Sequence, residues 1–143
     1  MIIPDVNLLI YAMNSDSPHH ARAWAWWQAA QEGPERIGLS WSVGLAYLRL
    51  MTNPRVMANP LTIAEAASDL RRWLSSPLVE MLTPGPEHLH VMERLLDSSG
   101  RTGELVSDAH LAALAWENGG TVWSADADFA RFPGVRWVDP LSG

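Results

Sequence analysis

Apolar residues along the chain come in two kinds of run, and the kinds alternate. Brief, unbroken runs at residues 1–6, 37–40, 78–82, 121–123 and 135–138 suit short buried strands. Between them lie longer stretches with apolar positions at helical spacing, at residues 8–12, 19–31, 43–50, 63–74, 87–96 and 109–115. Punctuation supports the division. Pro18 sits in the first turn of the second helix, and Thr62 with Glu65 spells a capping box before the fourth. Gly119-Gly120 reads as a helix stop, whereas Asn53-Pro54, Asn59-Pro60 and Ser76-Pro77 break the chain between elements. Residues 97–103 read as a polar loop and residues 129–132 as a turn. Pro4 predicts either an edge position for the first strand or a missing ladder bond near its end. Strands alternating with helices favour an α/β domain over residues 1–143, with a mostly parallel sheet and helices on both faces. Neither a repeat nor a linker divides it.

Against this pattern a few polar residues stand out. Asp5 ends the first apolar run and is followed by Asn7; Asp126 and Asp128 follow the strand at 121–123, after Ser124; Asp108 sits near the start of the preceding helix. In an open α/β sheet, ligands bind beyond the carboxyl ends of strands, where Asp126 and Asp128 would lie. A helix start can aim Asp108 at the same place. Taken singly, each aspartate has an ordinary explanation: Asp5 as an N-cap, Asp128 as the cap of a short turn. Grouped, they form an oxygen-donor set that suits Mg²⁺ or Mn²⁺ rather than zinc or copper. Such a site can orient a phosphodiester and lower the pKa of an attacking water. Asn7 and Ser124 would support it by holding a carboxylate or a water in place.

Composition narrows the chemistry. With no cysteine, disulfides, zinc–thiolate sites and thiol nucleophiles are excluded. All ten basic residues are arginine, so Schiff-base chemistry and lysine-dependent phosphate sites are excluded too. A net charge of −6 argues against a broad basic surface for nucleic acid. It leaves room for a nuclease, because two divalent cations on four carboxylates would cancel about four of those charges. No run approaches a membrane span and the N-terminus lacks a signal peptide's features, so the expected location is the cytoplasm, without membrane association. The adjacent His19 and His20, and His88 with His90 two apart, have poor metal spacing on a helix and read as surface residues. Arg49 and Arg55 suit either a phosphate contact or plain solvation.

Several short motifs together resemble those of a known family. Pro4-Asp5-Val6-Asn7, Tyr47-Leu48-Arg49 running into Thr52-Asn53-Pro54-Arg55-Val56, Ser107-Asp108-Ala109-His110, and Ser124-Ala125-Asp126-Ala127-Asp128-Phe129 are similar to PIN-domain proteins of the VapC type. Pro133 to Pro140 resembles the C-terminal strand of one branch, so the likeness covers nearly the whole chain. The resemblance implies a Mg²⁺- or Mn²⁺-dependent endoribonuclease, the toxin of a toxin–antitoxin pair, usually a homodimer and neutralised by a cognate antitoxin. It implies Asp5, Asp108 and Asp126 as metal ligands, with Asp128 completing the catalytic set.

One departure bears on activity. Many PIN domains carry a glutamate on the helix after the second strand, and Tyr47 is read here as the aligned residue. A phenol is a poor ligand for a hard cation. Glu104, four residues before Asp108, is the nearest acid that could compensate if the helix already runs there; if Ser107 caps the helix instead, Glu104 lies in a loop. Three readings follow: a metal-dependent ribonuclease, a PIN-fold binding module without catalysis, and a receiver or dehalogenase-like phosphatase. The last calls for a lysine that is absent, and retention of four aspartates favours catalysis over the second. Eight tryptophans exceed what a core of this size needs, so some are expected on a dimer or antitoxin surface.

Overall fold

A computed structural model describes residues 1–100 and 103–143 of the chain. Five strands, β1 (Ile2–Pro4), β2 (Ile37–Leu39), β3 (Val79–Met81), β4 (Thr121–Trp123) and β5 (Arg136–Val138), form one sheet in the order β3-β2-β1-β4-β5. Every pairing is parallel. β1 is therefore central, which removes the edge position as an explanation of Pro4. The proline is tolerated because it is the last residue of the strand, where the chain leaves the ladder for a helix. All three β1 residues are buried, as a strand covered on both faces requires.

Among the described residues six α-helices cover the sheet on both faces: α1 (Val6–Met13), α2 (His20–Glu32), α3 (Trp41–Met51), α4 (Ile63–Leu74), α5 (His88–Ser99) and α6 (Val106–Asn118). α2 packs on α1, α1 on α3 and α3 on α4, while α5 packs on α6. The capping box of α4 is present in full: Thr62 Oγ1 accepts from the Glu65 amide, and the Glu65 carboxylate accepts from the Thr62 amide. α6 stops at Gly119, whose φ of 61° lies in the left-handed region open to glycine. A Cβ at Gly120 would lie 2.7 Å from Ile3 Cδ1 on β1, so a side chain there would have to displace the buried Ile3.

The boundaries differ from the sequence expectations where apolar residues continue past the hydrogen-bonded ladder. β1 yields to α1 at Val6 because Asp5 caps the helix. α5 runs on to Ser99, through part of the stretch expected to be loop, and closes on Gly100; the rest of that stretch includes positions outside the described residues. The expected turn at 129–132 is a 3₁₀ helix, Ala127–Arg131. No helix among the described residues is long and apolar enough to cross a membrane.

Candidate metal centre

β1 lies between β2 and β4, so the chain crosses from one half of the sheet to the other beside it, and the crevice at the carboxyl ends of β1 and β4 is the place this topology offers a ligand. Asp5 leaves β1 and caps α1: its Oδ1 accepts the Val6 amide at 2.7 Å. Its Oδ2 accepts the Ser124 hydroxyl at 2.7 Å and the Asn7 amide at 3.3 Å. The cap reading of Asp5 is therefore correct, and it fixes the carboxylate at the crevice.

Ser124, fully buried at the end of β4, uses all its hydrogen-bonding capacity. Besides donating to Asp5, its Oγ accepts from Asn7 Nδ2 at 3.2 Å and from the Asp126 amide at 3.0 Å. Asn7 Oδ1 in turn accepts from the Ala125 amide at 3.4 Å. These bonds tie the loop after β4 to the start of α1. Asp126 caps the 3₁₀ turn by accepting from the Asp128 amide at 2.9 Å, and Asp128 Oδ1 accepts from Arg131 Nε at 3.1 Å.

Asp108, in the first turn of α6, completes the cluster. Carboxylate oxygens of Asp108, Asp126 and Asp128 lie within 4.8 Å of one another, and Asp108 shares a cleft of about 430 Å³ with Asp5. Like charges this close disfavour ionisation. Burial, then the neighbouring Asp5, Asp126 and Asp128, push the Asp108 carboxyl up to about 6. Burial also raises Asp5, with Asp126 adding to the effect, against the Ser124 and Val6 hydrogen bonds that pull it down. A set of hard oxygen donors held in mutual repulsion matches the chemistry of a divalent cation such as Mg²⁺ or Mn²⁺.

Two neighbouring residues singled out in the sequence take the following places. Tyr47 does not face the crevice: it is fully buried, packs edge-on to Trp73 with ring centroids 5.2 Å apart, and donates to Asp69 Oδ2 at 2.6 Å. The α3 residues that line the cleft are Ser42, Ala46 and Arg49, with Val43, Leu45 and Leu50. One residue along a helix is a rotation of about 100°, so the position next to Tyr47 looks the other way. α3 thus contributes no carboxylate. Glu104 is exposed on a separate 3₁₀ turn, Gly103–Leu105, outside the three converging carboxylates; α6 starts at Val106, and Ser107 is not its cap.

His88 is not a surface residue either. Its Nδ1 donates to Glu117 Oε2 at 2.5 Å, and its Nε2 lies within hydrogen-bond distance of His110 Nδ1, at 2.8 Å. His110 Nε2 lies 3.3 Å from Ser40 Oγ, which contacts Ser42 Oγ at 2.6 Å. The residues come from α5, α6 and the start of α3, a combination no local spacing reveals. His90, by contrast, is exposed, as expected.

The PIN-domain family profile matches residues 2–135. The chain is 47% identical over 141 residues to Ribonuclease VapC33 of Mycobacterium tuberculosis, covering 99% of each. It is 39% identical to Ribonuclease VapC37 of the same species, over 98% of this chain and 97% of that one. Among solved structures, M. tuberculosis VapC20, described as a sarcin–ricin loop cleaving toxin, superposes with a TM-score of 0.67 at 21% identity, covering 95% of this chain and 99% of that one. The Rickettsia felis VapBC2 complex bound to promoter DNA gives 0.69 at 17% identity, with 96% and 98% covered. By sequence over its full length and by fold, this chain belongs to the PIN-domain family, in its VapC group.

Proposed function

We propose that the chain is a divalent-metal-dependent endoribonuclease acting as the toxin of a toxin–antitoxin pair in the cytoplasm. The observation that carries this reading is the convergence of Asp108, Asp126 and Asp128 beside Asp5 at the crevice of a PIN fold. In this reading Asp5, Asp108 and Asp126 hold Mg²⁺ or Mn²⁺, and Asp128 supplies the fourth carboxylate of the catalytic set. The bound cation neutralises charge at the phosphodiester and favours hydrolysis by water. Asn7 and Ser124 hold Asp5 at the crevice through their hydrogen bonds. Arg131 holds Asp128 through its hydrogen bond. The site operates with four aspartates, since the α3 position at the cleft is Ala46 and Tyr47 belongs to the core.

The relatives named ribonucleases and the toxin–antitoxin complexes among similar structures support RNA as substrate and a cognate antitoxin as partner. Trp24, Trp41 and Trp116 are exposed, so the tryptophan surplus does reach the surface, in keeping with an antitoxin or homodimer contact. The test is cleavage of total cellular RNA by purified protein with Mg²⁺ or Mn²⁺ and with EDTA, beside Asp5→Ala. Discrete fragments that require both the cation and Asp5 support the reading. Folded, antitoxin-free protein that cuts nothing with either cation would turn it toward a binding module.

A further inference from the structure

α3 presents Ser42, Ala46 and Arg49 to the acidic cleft, at spacings i, i+4 and i+7 that share one helix face. The first two are small; Arg49 is the long, charged side chain that lines the cleft. A polyanion approaching this cleft meets Asp5 and Asp108, with Asp126 and Asp128 beside them. Cations on those carboxylates remove the repulsion but give no grip on the strand away from the cut. That grip needs a permanent positive group on the cleft wall, and Arg49 is the basic residue placed there.

Among the other described arginines, Arg55, Arg71 and Arg94 also have no side-chain partner, but none of them lines this cleft, and the rest are engaged elsewhere. Arg36 pairs with Glu80, Arg72 with Asp69 and Arg131 with Asp128. Arg22 and Arg136 donate to the backbone carbonyls of Gly143 and Gly119. The Arg49 guanidinium makes no ion pair or hydrogen bond among the described residues, although it shares the cleft with two carboxylates. An arginine bonded to Asp5 or Asp108 would compete with a cation for them. This one keeps its planar fork free, in the geometry that matches a phosphate. A plainer explanation is that Arg49, in the last turn of α3, complements the helix dipole. That role would affect stability alone.

We propose that Arg49 binds a backbone phosphate of the RNA adjacent to the bond that is cut, so that α3 and the carboxylate cluster form the two walls of one substrate groove. The inference rests on the ribonuclease reading. In it Arg49 is a substrate-binding residue, and its contribution is electrostatic and independent of base sequence.

The test measures kcat and KM with Mn²⁺ on a short single-stranded RNA spanning a mapped cleavage site, across a range of salt. The wild type is compared with Arg49→Ala, Arg49→Lys and Arg94→Ala, an arginine on α5 that lines a different cleft. Arg49→Ala should lower kcat/KM by about 10- to 100-fold, mainly through KM. It should also flatten the plot of log(kcat/KM) against log[salt] by about 0.7, the counterion-release value for one contact to single-stranded RNA. Arg49→Lys should keep the slope and recover part of the loss; Arg94→Ala should change neither. An unchanged slope in Arg49→Ala overturns the proposal, even if that variant weakens self-association, which would place Arg49 at a protein contact instead. An equal change in Arg94→Ala overturns it as well, because the effect would then be one of net charge. If the wild type cuts no RNA, the ribonuclease reading fails and this inference falls with it. Cleavage that is intact in the wild type with an unaltered slope in Arg49→Ala removes the inference alone.

Discussion

Asp5, Asp108, Asp126 and Asp128 were recognisable in the sequence because carboxylates interrupt apolar runs at the points where strands end and a helix begins. Tyr47 shows where that kind of reading fails. Alignment of a short motif places a residue to within one position, but one position on a helix decides between core and cleft. Tyr47 instead serves the core, where its hydroxyl satisfies Asp69, a largely buried carboxylate that otherwise has only the Arg72 guanidinium, at 3.1 Å. Burial, together with the hydrogen bond to Asp69, drives the phenol above its ordinary range, so it stays neutral and a donor. Tyr47→Phe should destabilise the fold by about 1–3 kcal/mol, the effect of leaving a buried acceptor short of a partner. Urea unfolding would measure the loss. RNA cleavage by the folded variant should match the wild type; a fall in kcat with stability intact would return Tyr47 to the site.

Among the elements, α3 links stability most closely to the cleft. Its N-cap, Ser40, accepts from the Ser42 amide at 3.1 Å and is fully buried, and it meets the chain Glu117–His88–His110 arriving from α5 and α6. Glu117 is itself fixed, since its Oε1 accepts the Gly85 amide at 2.8 Å. Burial and the adjacent His88 lower His110 below the ordinary histidine range, with Glu117 opposing, so the pair favours a neutral ring next to Ser40. Ser40→Ala should cost about 1 kcal/mol for the lost cap, and more if His110 is left without a partner. The check is thermal unfolding beside Thr62→Ala, which removes the exposed cap of α4 and should cost about 1 kcal/mol or less. A smaller loss at Ser40 than at Thr62 would show that the buried chain adds nothing. The sequence revealed both helices but not this chain, because its members lie 22 to 70 residues apart. Element types were legible from periodicity, whereas ends were blurred wherever apolar residues outlast the ladder, as in β1 and β5.

For the whole molecule, the cluster predicts a stability that depends on pH and, in the proposed function, on metal. The Asp108 carboxyl sits at about 6 in the folded chain against an ordinary 3.8, so the native state holds this proton more tightly than the unfolded one. Stability from this group is therefore full below 3.8 and declines as pH rises toward about 6; above that, the charged cluster is a standing cost. Asp5 shifts in the same direction. Discounted for partial exposure, the Asp108 contribution is on the order of 1–2 kcal/mol. Metal-free Asp108→Asn should accordingly melt higher than metal-free wild type at neutral pH. Mn²⁺ should raise the melting temperature of the wild type at neutral pH and raise it less near about pH 5, where protons compete for the ligand. The reverse pattern would mean that protons and the cation do not compete for these carboxylates.

The most direct test is Mn²⁺ binding, followed by electron paramagnetic resonance at neutral pH, with wild type and Asp108→Asn side by side. The account predicts saturable binding to the wild type, displaced by Mg²⁺ and strongly weakened in the variant, whose fold is retained. Equal binding by the two proteins, or none by folded wild type, would contradict a metal centre built on Asp108, Asp126 and Asp128, and with it the chemistry proposed for this chain.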